Sequence, residues 1–153
     1  MVVSVEKFLK KHHRVAIDTS IFIYFIEEHS EYYPFCNKVF ESIETGLIKA
    51  STSTLSLLEV LVQPYRMKKD DLVYKFYSLL STYPNLTRVD MNLNVADIAA
   101  RLRAEHSLKT PDSIQAASAI VSGATGFICN DKAFKKVREL ECMVLDDLLK
   151  ASG

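Results

Sequence analysis

Glycine and proline are scarce in this sequence, with four of each among 153 residues. They mark no linker, internal repeat or low-complexity tract. We therefore expect one domain over residues 1–153, with residues 1–13 as a short N-terminal extension. Hydrophobic residues make up 48% of the chain and charged residues 25%, a composition that argues against disorder and supports a full hydrophobic core.

Cysteine is also rare. Cys36, Cys129 and Cys142 are odd in number, widely spaced and without a C-x-x-C pair. This pattern favours neither a disulfide framework nor a zinc site. We interpret the three residues as buried thiols in a reducing cytoplasm.

The chain lacks both a net charge and a long hydrophobic run. Lysine plus arginine and aspartate plus glutamate number 19 each, so the overall charge neither favours nor excludes a nucleic-acid partner. The apolar run over residues 21–26 is far too short to span a bilayer, and the opening MVVSVEKFLKKHHR has no signal-peptide core. We expect a cytoplasmic protein without a membrane partner. Its first residues should form an amphipathic segment with one face made by Val5, Phe8, Leu9 and His12.

The sequence alternates between short apolar runs and longer helical periods. The apolar runs predict strands at residues 14–17, 47–52, 86–90, 126–131 and 142–149, the last continuing to the terminus. The segments between them predict helices at residues 20–30, 32–46, 53–63, 68–83, 94–106, 110–124 and 132–140, the third stopped by Pro64. This alternation predicts an α/β fold with a mostly parallel central sheet.

Four acidic residues are predicted to lie near one edge of this sheet. Asp18 and Asp131 follow the first and fourth strands. Asp112 begins a helix, and Glu59 lies in the helix after the second strand. In open α/β sheets, ligands bind beyond the carboxyl ends of the strands, where helix N-termini also lie. We therefore expect the four side chains to converge, although they are far apart in sequence.

Three of these acids also have a simpler interpretation as parts of helix N-termini. Asp18 and Asp131 precede helices and are able to cap them, and Asp112 is an ordinary first-turn acid. Thr19 and Ser20 are able to cap the first of these helices equally well. We expect one of them to do so, which leaves Asp18 available at the end of the strand.

Glu59 lies among apolar neighbours on its predicted helix. It belongs either to a thin solvent-exposed stripe with Ser56 and Gln63 or to the acidic cluster. Close carboxylates repel by roughly 3 kcal/mol per pair at ~5 Å and an effective dielectric near 20, so a cluster of four persists if it binds a cation. Oxygen ligands select hard ions such as Mg²⁺ or Mn²⁺, which suit the hydrolysis of a phosphodiester.

The residues around these acids resemble the PIN-domain ribonucleases, and most closely the VapC-type toxins of toxin–antitoxin pairs. The resemblance extends from Arg14 to Leu149. It rests on AIDTSIFIYFI, STLSLLEVL, LKTPDSIQAASAIVSGATGFICND and Phe134, three residues after Asp131. It implies a three-layer α/β/α fold and a metal-dependent endonuclease that cleaves RNA.

The resemblance also implies roles for individual residues. It implies that four residues bind Mg²⁺ or Mn²⁺ and catalyse hydrolysis: Asp18, Glu59, Asp112 and Asp131. One of these carboxylates would orient the attacking water as a general base, and the products would carry a 5′-phosphate and a 3′-hydroxyl. Ser20 and Asn130 match positions that support the acids, whereas Cys129 departs from the threonine that the family commonly has there.

Expected partners come from the resemblance and from local charge. VapC-type toxins pair with a small protein antitoxin and form homodimers, so the resemblance implies both for this chain. Three basic segments, residues 10–14, 65–69 and 132–138, are candidate contacts for RNA phosphates, and the third directly follows Asp131. Tyr65, in the second segment, is a candidate for stacking on a base.

Two other functions remain open from the sequence. In one, Asp18 is the nucleophile of an aspartyl-phosphate reaction, but Ser20 stands where haloacid-dehalogenase-type phosphatases have a second aspartate. In the other, the chain is a catalytically silent RNA-binding or partner-docking module whose acids cap helices. Stability distinguishes this module from an acidic cluster, because Asp18→Asn is nearly neutral for a cap and stabilising for a cluster.

Overall fold

A single parallel sheet forms the centre of the protein. The computed structural model describes residues 2–152 and the side chains of residues 5–151. The strands are β1 (Arg14–Ile17), β2 (Lys49–Ser53), β3 (Leu86–Val89), β4 (Gly126–Cys129) and β5 (Glu141–Val144). Their order across the sheet is β3-β2-β1-β4-β5, and each neighbouring pair is parallel. The predicted α/β class is confirmed, and each predicted strand is present, β1 at the predicted residues and the other four with shifted ends.

Helices cover both faces of this sheet. They are α1 (Val2–Lys11), α2 (Thr19–Ile26), α3 (Tyr33–Glu44), α4 (Leu55–Arg66), α5 (Asp70–Thr82), α6 (Leu93–His106), α7 (Thr110–Val121), α8 (Leu145–Ser152) and a 3₁₀ helix, Lys132–Lys136. Val15 and Ile17 of β1 pack with residues of α1 to α5, whereas Ala16 between them packs with residues of α6 and α7. Successive strand side chains point to opposite faces, so the two hydrophobic clusters lie on opposite faces of the sheet. The three-layer α/β/α arrangement is therefore confirmed.

The N-terminal segment is α1, and it packs into the hydrophobic core. Val5, Phe8, Leu9 and His12 are buried, as the amphipathic pattern predicts. A Cβ atom at Gly126 would lie 2.8 Å from Phe8 Cζ and 2.9 Å from His12 Cγ. Only glycine fits where α1 approaches β4 this closely.

Several predicted helix boundaries are wrong, and two of them have a clear physical reason. Pro64 does not stop α4, which continues past it, because a proline in the last turn removes only one backbone donor and this ring is buried. Within the helix predicted at residues 132–140, only Lys132–Lys136 are helical, and they form a 3₁₀ helix rather than an α-helix. Phe134 and Val137 are both buried, and their spacing of three residues matches a 3₁₀ turn.

The predicted last strand is also too long. β5 ends at Val144, and α8 begins at the next residue. Asp146 and Asp147 lie in the first turn of α8, where negative side chains stabilise a helix N-terminus. Leu145 and Leu148 are both buried at a helical spacing, which fixes the face that α8 turns to the core.

The cysteines are free thiols. Cys36 and Cys129 are buried, as expected, whereas Cys142 is partly exposed on the edge strand β5. Burial raises the pKa of Cys36 to about 12, so this thiol stays protonated at neutral pH. None of the helices within residues 2–152 is long and apolar enough to cross a membrane.

Candidate active site at the carboxyl edge of the sheet

Asp18 lies at the carboxyl end of β1, in the centre of the sheet. Its backbone N–H donates to the carbonyl of Ile128 in β4 at 3.0 Å. It occupies the N-cap position of α2, but its side chain makes no capping hydrogen bond. The prediction that Thr19 or Ser20 caps this helix is wrong, because both residues already lie in its first turn. The Asp18 carboxylate therefore stands at the sheet edge without a capping role.

Asp112 and Asp131 approach the same edge from α7 and β4. Asp112 lies in the first turn of α7 and is half-buried. Asp131 directly follows Asn130 after β4 and is exposed. Its Oδ1 accepts a hydrogen bond from the backbone N–H of Ala133 at 2.9 Å, which caps the 3₁₀ helix. The capping interpretation therefore holds for one oxygen of Asp131.

Glu59 approaches this edge from the middle of α4. Ser56, one turn earlier, is fully buried, so the solvent-exposed stripe predicted as an alternative for this helix is wrong. Oε1 of Glu59 accepts hydrogen bonds from the Thr19 hydroxyl at 2.6 Å and from the Gln115 amide at 3.3 Å. Because Thr19 follows Asp18, the Glu59 carboxylate is tied to the residue next to the first acid.

The charges of the four acids interact. Burial raises the pKa of Asp18 to about 7, against the opposing effect of a hydrogen bond from the backbone of Thr19. Part of the increase comes from the negative charges of three other acids, Glu59, Asp112 and Asp131. Burial also raises the pKa of Asp112, and Asp131 and Glu59 contribute to that increase. The charges of these four acids, which are far apart in sequence, therefore act on one another.

The arrangement suits a hard cation, but it is not a completed metal site. The donors are carboxylate oxygens, the ligands that Mg²⁺ and Mn²⁺ prefer. A cation would also offset the repulsion that helps to raise the pKa of Asp18. Among the residues that the structure describes, however, no three His, Cys, Asp or Glu side chains are close enough to hold a metal ion as they stand. Binding of an ion would therefore use water-mediated contacts to some of the carboxylates or a shift of their side chains.

Comparison with known proteins identifies the family. The sequence model of the PIN domain matches residues 15–140. The chain belongs to the PIN domain family. PIN domains are generally nucleases, which agrees with an acidic site suited to a divalent cation. No curated protein sequence matches the chain.

Several solved structures share the fold of this PIN domain. VapBC2 from Rickettsia felis, bound to a DNA fragment from their promoter, has a TM-score of 0.65 at 21% identity, over 86% of this chain and 98% of that chain. A toxin–antitoxin complex from Klebsiella pneumoniae has a TM-score of 0.65 at 20% identity, over 86% and 97%. VapBC-5 from Mycobacterium tuberculosis has a TM-score of 0.56 at 18% identity, over 86% and 98%. At these identities the similarity establishes the fold.

The two residues expected to support the acids of the PIN domain have different surroundings. The Ser20 hydroxyl is buried and makes no hydrogen bond to any residue that the structure describes. Asn130 accepts a hydrogen bond from the backbone N–H of Asp146 at 2.7 Å and donates one to the Tyr24 hydroxyl at 3.1 Å. Asn130 therefore ties the segment before Asp131 to α8 and α2.

Gln115 is a residue of this region that the sequence analysis did not predict. It lies on α7, three residues after Asp112, and is 2% exposed. Its amide nitrogen lies 3.1 Å from the Thr19 hydroxyl, 3.0 Å from that of Ser56 and 3.3 Å from Oε1 of Glu59. In the sequence, the sign that could have pointed to Gln115 is a glutamine within an Ala- and Ser-rich helix, about one turn after Asp112.

The three basic segments lie in different parts of the PIN domain. In the first, Lys11 forms an ion pair with Glu141 at the amino edge of the sheet, away from the acids. Residues 65–69 are exposed at the end of α4. Residues 132–138 directly follow the last of the four acids. The third segment is therefore the one that continues from the acidic edge.

Proposed function

We propose that this PIN domain is an Mg²⁺-dependent endoribonuclease. The observation that carries the proposal is the position of Asp18 at the end of a central strand, where burial and the charges of Glu59, Asp112 and Asp131 raise its pKa to about 7. Carboxylates that repel one another, one of them with a pKa raised by burial, favour a divalent cation. Mn²⁺ has the same ligand preference and is an alternative ion.

Each carboxylate has a role in this proposal. Asp18 and Asp112 hold the ion, and Glu59 and Asp131 complete the ligand set directly or through water. When bound, the ion supplies Lewis-acid stabilisation of the charge that develops on the phosphoryl group. One of the carboxylates accepts a proton from the attacking water as a general base. Water attacks the phosphorus, the bond to the 3′-oxygen breaks and that oxygen takes up a proton, so the products carry a 5′-phosphate and a 3′-hydroxyl.

The segment after Asp131 is proposed to hold the RNA backbone. The net charge of the chain is zero, so attraction of a polyanion must come from local clusters of positive charge. Lys132, Lys135 and Lys136 are exposed in this segment, which begins beside the acids. Tyr65 on α4 is 60% exposed and is the candidate for stacking on a base.

We further infer that the chain is the toxin of a toxin–antitoxin pair. Structures that share its fold include a toxin–antitoxin complex and two VapBC systems. The proposed partner is a small protein antitoxin, and the proposed assembly is a homodimer. Free thiols at Cys36, Cys129 and Cys142 are consistent with action on RNA in the cytoplasm.

Cleavage of total cellular RNA by the purified, antitoxin-free chain tests the proposal. Reactions contain Mg²⁺, Mn²⁺ or EDTA, and wild type is compared with Asp112→Asn. Asp97→Asn is the control, because Asp97 is an exposed acid on α6 that pairs with Arg101. We expect discrete fragments with 5′-phosphate ends that require metal, persist in the control and disappear in Asp112→Asn.

Intact RNA has two different meanings in this experiment. Intact RNA with Mn²⁺ binding shown by calorimetry would indicate a narrow substrate that the RNA pool lacks. Intact RNA without Mn²⁺ binding would contradict the proposal and favour a catalytically silent RNA-binding or docking module.

A further inference from the structure

A row of polar side chains is buried behind the acidic edge of the sheet. It is contributed by α2, α4, α7 and β2. Ser56 is 0% exposed, Thr52 and Gln115 are each 2% exposed, and Thr19 is 9% exposed. Buried polar atoms are costly unless they are hydrogen-bonded, so each proton in this row is expected to have an acceptor.

A backbone carbonyl fixes one end of the row. The Thr52 hydroxyl donates to the carbonyl of Ile17 in β1 at 2.8 Å, which uses its only proton. In the 2.8 Å hydrogen bond between Thr52 and Ser56, Ser56 must therefore be the donor. The Ser56 oxygen is left to accept, and the amide nitrogen of Gln115 lies 3.0 Å from it.

A carboxylate fixes the other end of the row. The Thr19 hydroxyl lies 2.6 Å from Oε1 of Glu59 and 3.2 Å from Ser56, so its proton goes to the carboxylate. The Thr19 oxygen then accepts from the amide nitrogen of Gln115 at 3.1 Å. That nitrogen also lies 3.3 Å from Oε1 of Glu59. Its two protons face three acceptors, so the N–H that points to Thr19 is shared with Glu59 in a three-centre hydrogen bond. An ionised carboxylate oxygen only accepts, so the NH₂ group of Gln115 faces it rather than the amide oxygen.

We propose that Gln115 is a positioning residue that fixes the Glu59 carboxylate through Oε1 and so presents Oε2 to a divalent cation, a role that depends on the proposed function of the acidic edge. Both hydrogen bonds described for this carboxylate reach Oε1. Gln115 shares α7 with Asp112, so its amide also joins two helices that carry acids of the site. Without this amide, the Glu59 carboxylate would keep only the hydrogen bond from Thr19.

A double-mutant cycle between Gln115 and Glu59 tests this role. Gln115→Met keeps an unbranched side chain of similar length and removes the amide, and Glu59→Gln removes the charge. Mn²⁺ affinity is measured by titration calorimetry for wild type, both single variants and the double variant. The midpoint of thermal unfolding in EDTA is measured for the same four proteins.

Ser118→Ala is the matched control for this cycle. Ser118 lies on α7, as Gln115 does, and is 1% exposed. Its hydroxyl makes no hydrogen bond within the part of the chain that the structure describes. The control therefore removes a buried polar group from the same helix without touching Glu59.

Positioning through Glu59 predicts a specific pattern of affinities. Gln115→Met should weaken Mn²⁺ binding roughly 10-fold, the lower end of the range for residues that orient metal ligands. In the Glu59→Gln background the same change should have little further effect, because the residue through which it acts is altered. Ser118→Ala should bind Mn²⁺ as wild type does.

Three results would overturn the role of Gln115. These are an unchanged Mn²⁺ affinity in Gln115→Met, an equal loss in both backgrounds, or a loss confined to the unfolding midpoint in EDTA. If Gln115→Met does not fold, Gln115→Asn enters the same cycle, because it keeps an amide that is one methylene too short. Wild-type protein that binds no Mn²⁺ would contradict the proposed function itself and this role with it, so the two failures are distinguishable.

Discussion

The unfavourable electrostatics of the acidic edge appear in the raised pKa of one residue, Asp18. It stands at the end of a central strand, where burial and three neighbouring acids oppose its ionisation. Its pKa is raised to about 7, so in the absence of a cation it is about half protonated at neutral pH. A bound divalent ion would instead favour the ionised form of the Asp18 carboxylate. Its protonation state therefore reflects both its burial and the charges of the other three acids.

The metal-free protein should lose stability through Asp18 as the pH rises from about 4 to 7. The ordinary pKa of this group is 3.8, and in the folded protein it is about 7. A raised folded-state pKa gives stability that is complete below the unfolded value and is lost as the pH rises through the folded value. Asp112, whose pKa is also raised, acts in the same direction. Thermal unfolding in EDTA at pH 5 and pH 8 measures the effect.

Asp18→Asn isolates this contribution from that of the other carboxyl groups. At pH 8 in EDTA, the variant should be more stable than wild type by roughly 1–2 kcal/mol, allowing for the partial exposure of the group. At pH 5 the difference should become smaller. If Asp18 only capped α2, the asparagine would be nearly neutral at both pH values and Asp18→Ala would cost about 1 kcal/mol. A lower midpoint for both variants at pH 8 would contradict the cluster.

For individual residues, the sequence was enough to locate the acids but not the side chains that surround them. The apolar run before Asp18 was enough to place it at a strand end, as the structure confirms. The sequence did not decide whether Glu59 lies on the surface or in the site, because its partners, Thr19 and Gln115, are distant in sequence. Cys129 replaces the expected threonine, yet its thiol still donates to the Asp131 carbonyl at 3.6 Å. The roles of the four acids remain a prediction.

The segment after β4 is the element whose position depends most on one side chain. Asn130 accepts from the backbone of Asp146 in α8 and donates to Tyr24 in α2. These bonds join three parts of the chain at the residue before Asp131. Asp131 itself is exposed, so the side-chain contacts of Asn130 connect this point to the rest of the protein.

Asn130→Ala should lower the free energy of unfolding by about 1–3 kcal/mol, because it leaves the Asp146 N–H and the Tyr24 hydroxyl without these partners. Denaturant unfolding measures the loss. Asn94→Ala is the control, because Asn94 is exposed on α6 and should change stability by no more than about 0.5 kcal/mol. An Asn130→Ala variant as stable as wild type would show that the two hydrogen bonds do not hold this segment.

The elements themselves were predictable to different degrees. Buried strands such as β1 and β4 are short apolar runs, which the sequence shows directly. The end of β5 was not predictable from apolar runs alone, because the apolar run over residues 142–145 continues from β5 into the first residue of α8. The first turn of α8 is held by a hydrogen bond from the backbone N–H of Asp146 to Oδ1 of Asn130, a contact between distant parts of the chain.

In the molecule as a whole, the close packing of α1 against the sheet and the proposed metal site lie at opposite edges of the sheet. Adjacent central strands, β1 and β4, place Asp18 and Asp131 at one edge of the sheet. At the opposite edge, α1 lies against Gly126 at the start of β4. Changes at the amino edge should therefore affect stability without altering the acidic edge.

Gly126→Ala tests this separation. The added methyl group would lie under 3.0 Å from atoms of Phe8 and His12, so it should destabilise the protein by about 1–3 kcal/mol. Mn²⁺ affinity should stay at the wild-type value, because the four acids lie at the other end of the strands. Thermal unfolding and calorimetric titration measure the two quantities. Unchanged stability would mean that α1 is free to shift, and a large loss of affinity would mean that the two edges are coupled.

Calorimetric titration of Mn²⁺ at pH 8 tests most directly whether the four acids form one cation site. Wild type should bind Mn²⁺, and the exposed control Asp97→Asn should bind it equally well. Affinity should fall about 10-fold or more in each of four variants, in line with the loss of a charged ligand: Asp18→Asn, Glu59→Gln, Asp112→Asn and Asp131→Asn. Binding that none of these four changes alters, or no binding by wild type, would contradict a cation site at the carboxyl edge of the sheet.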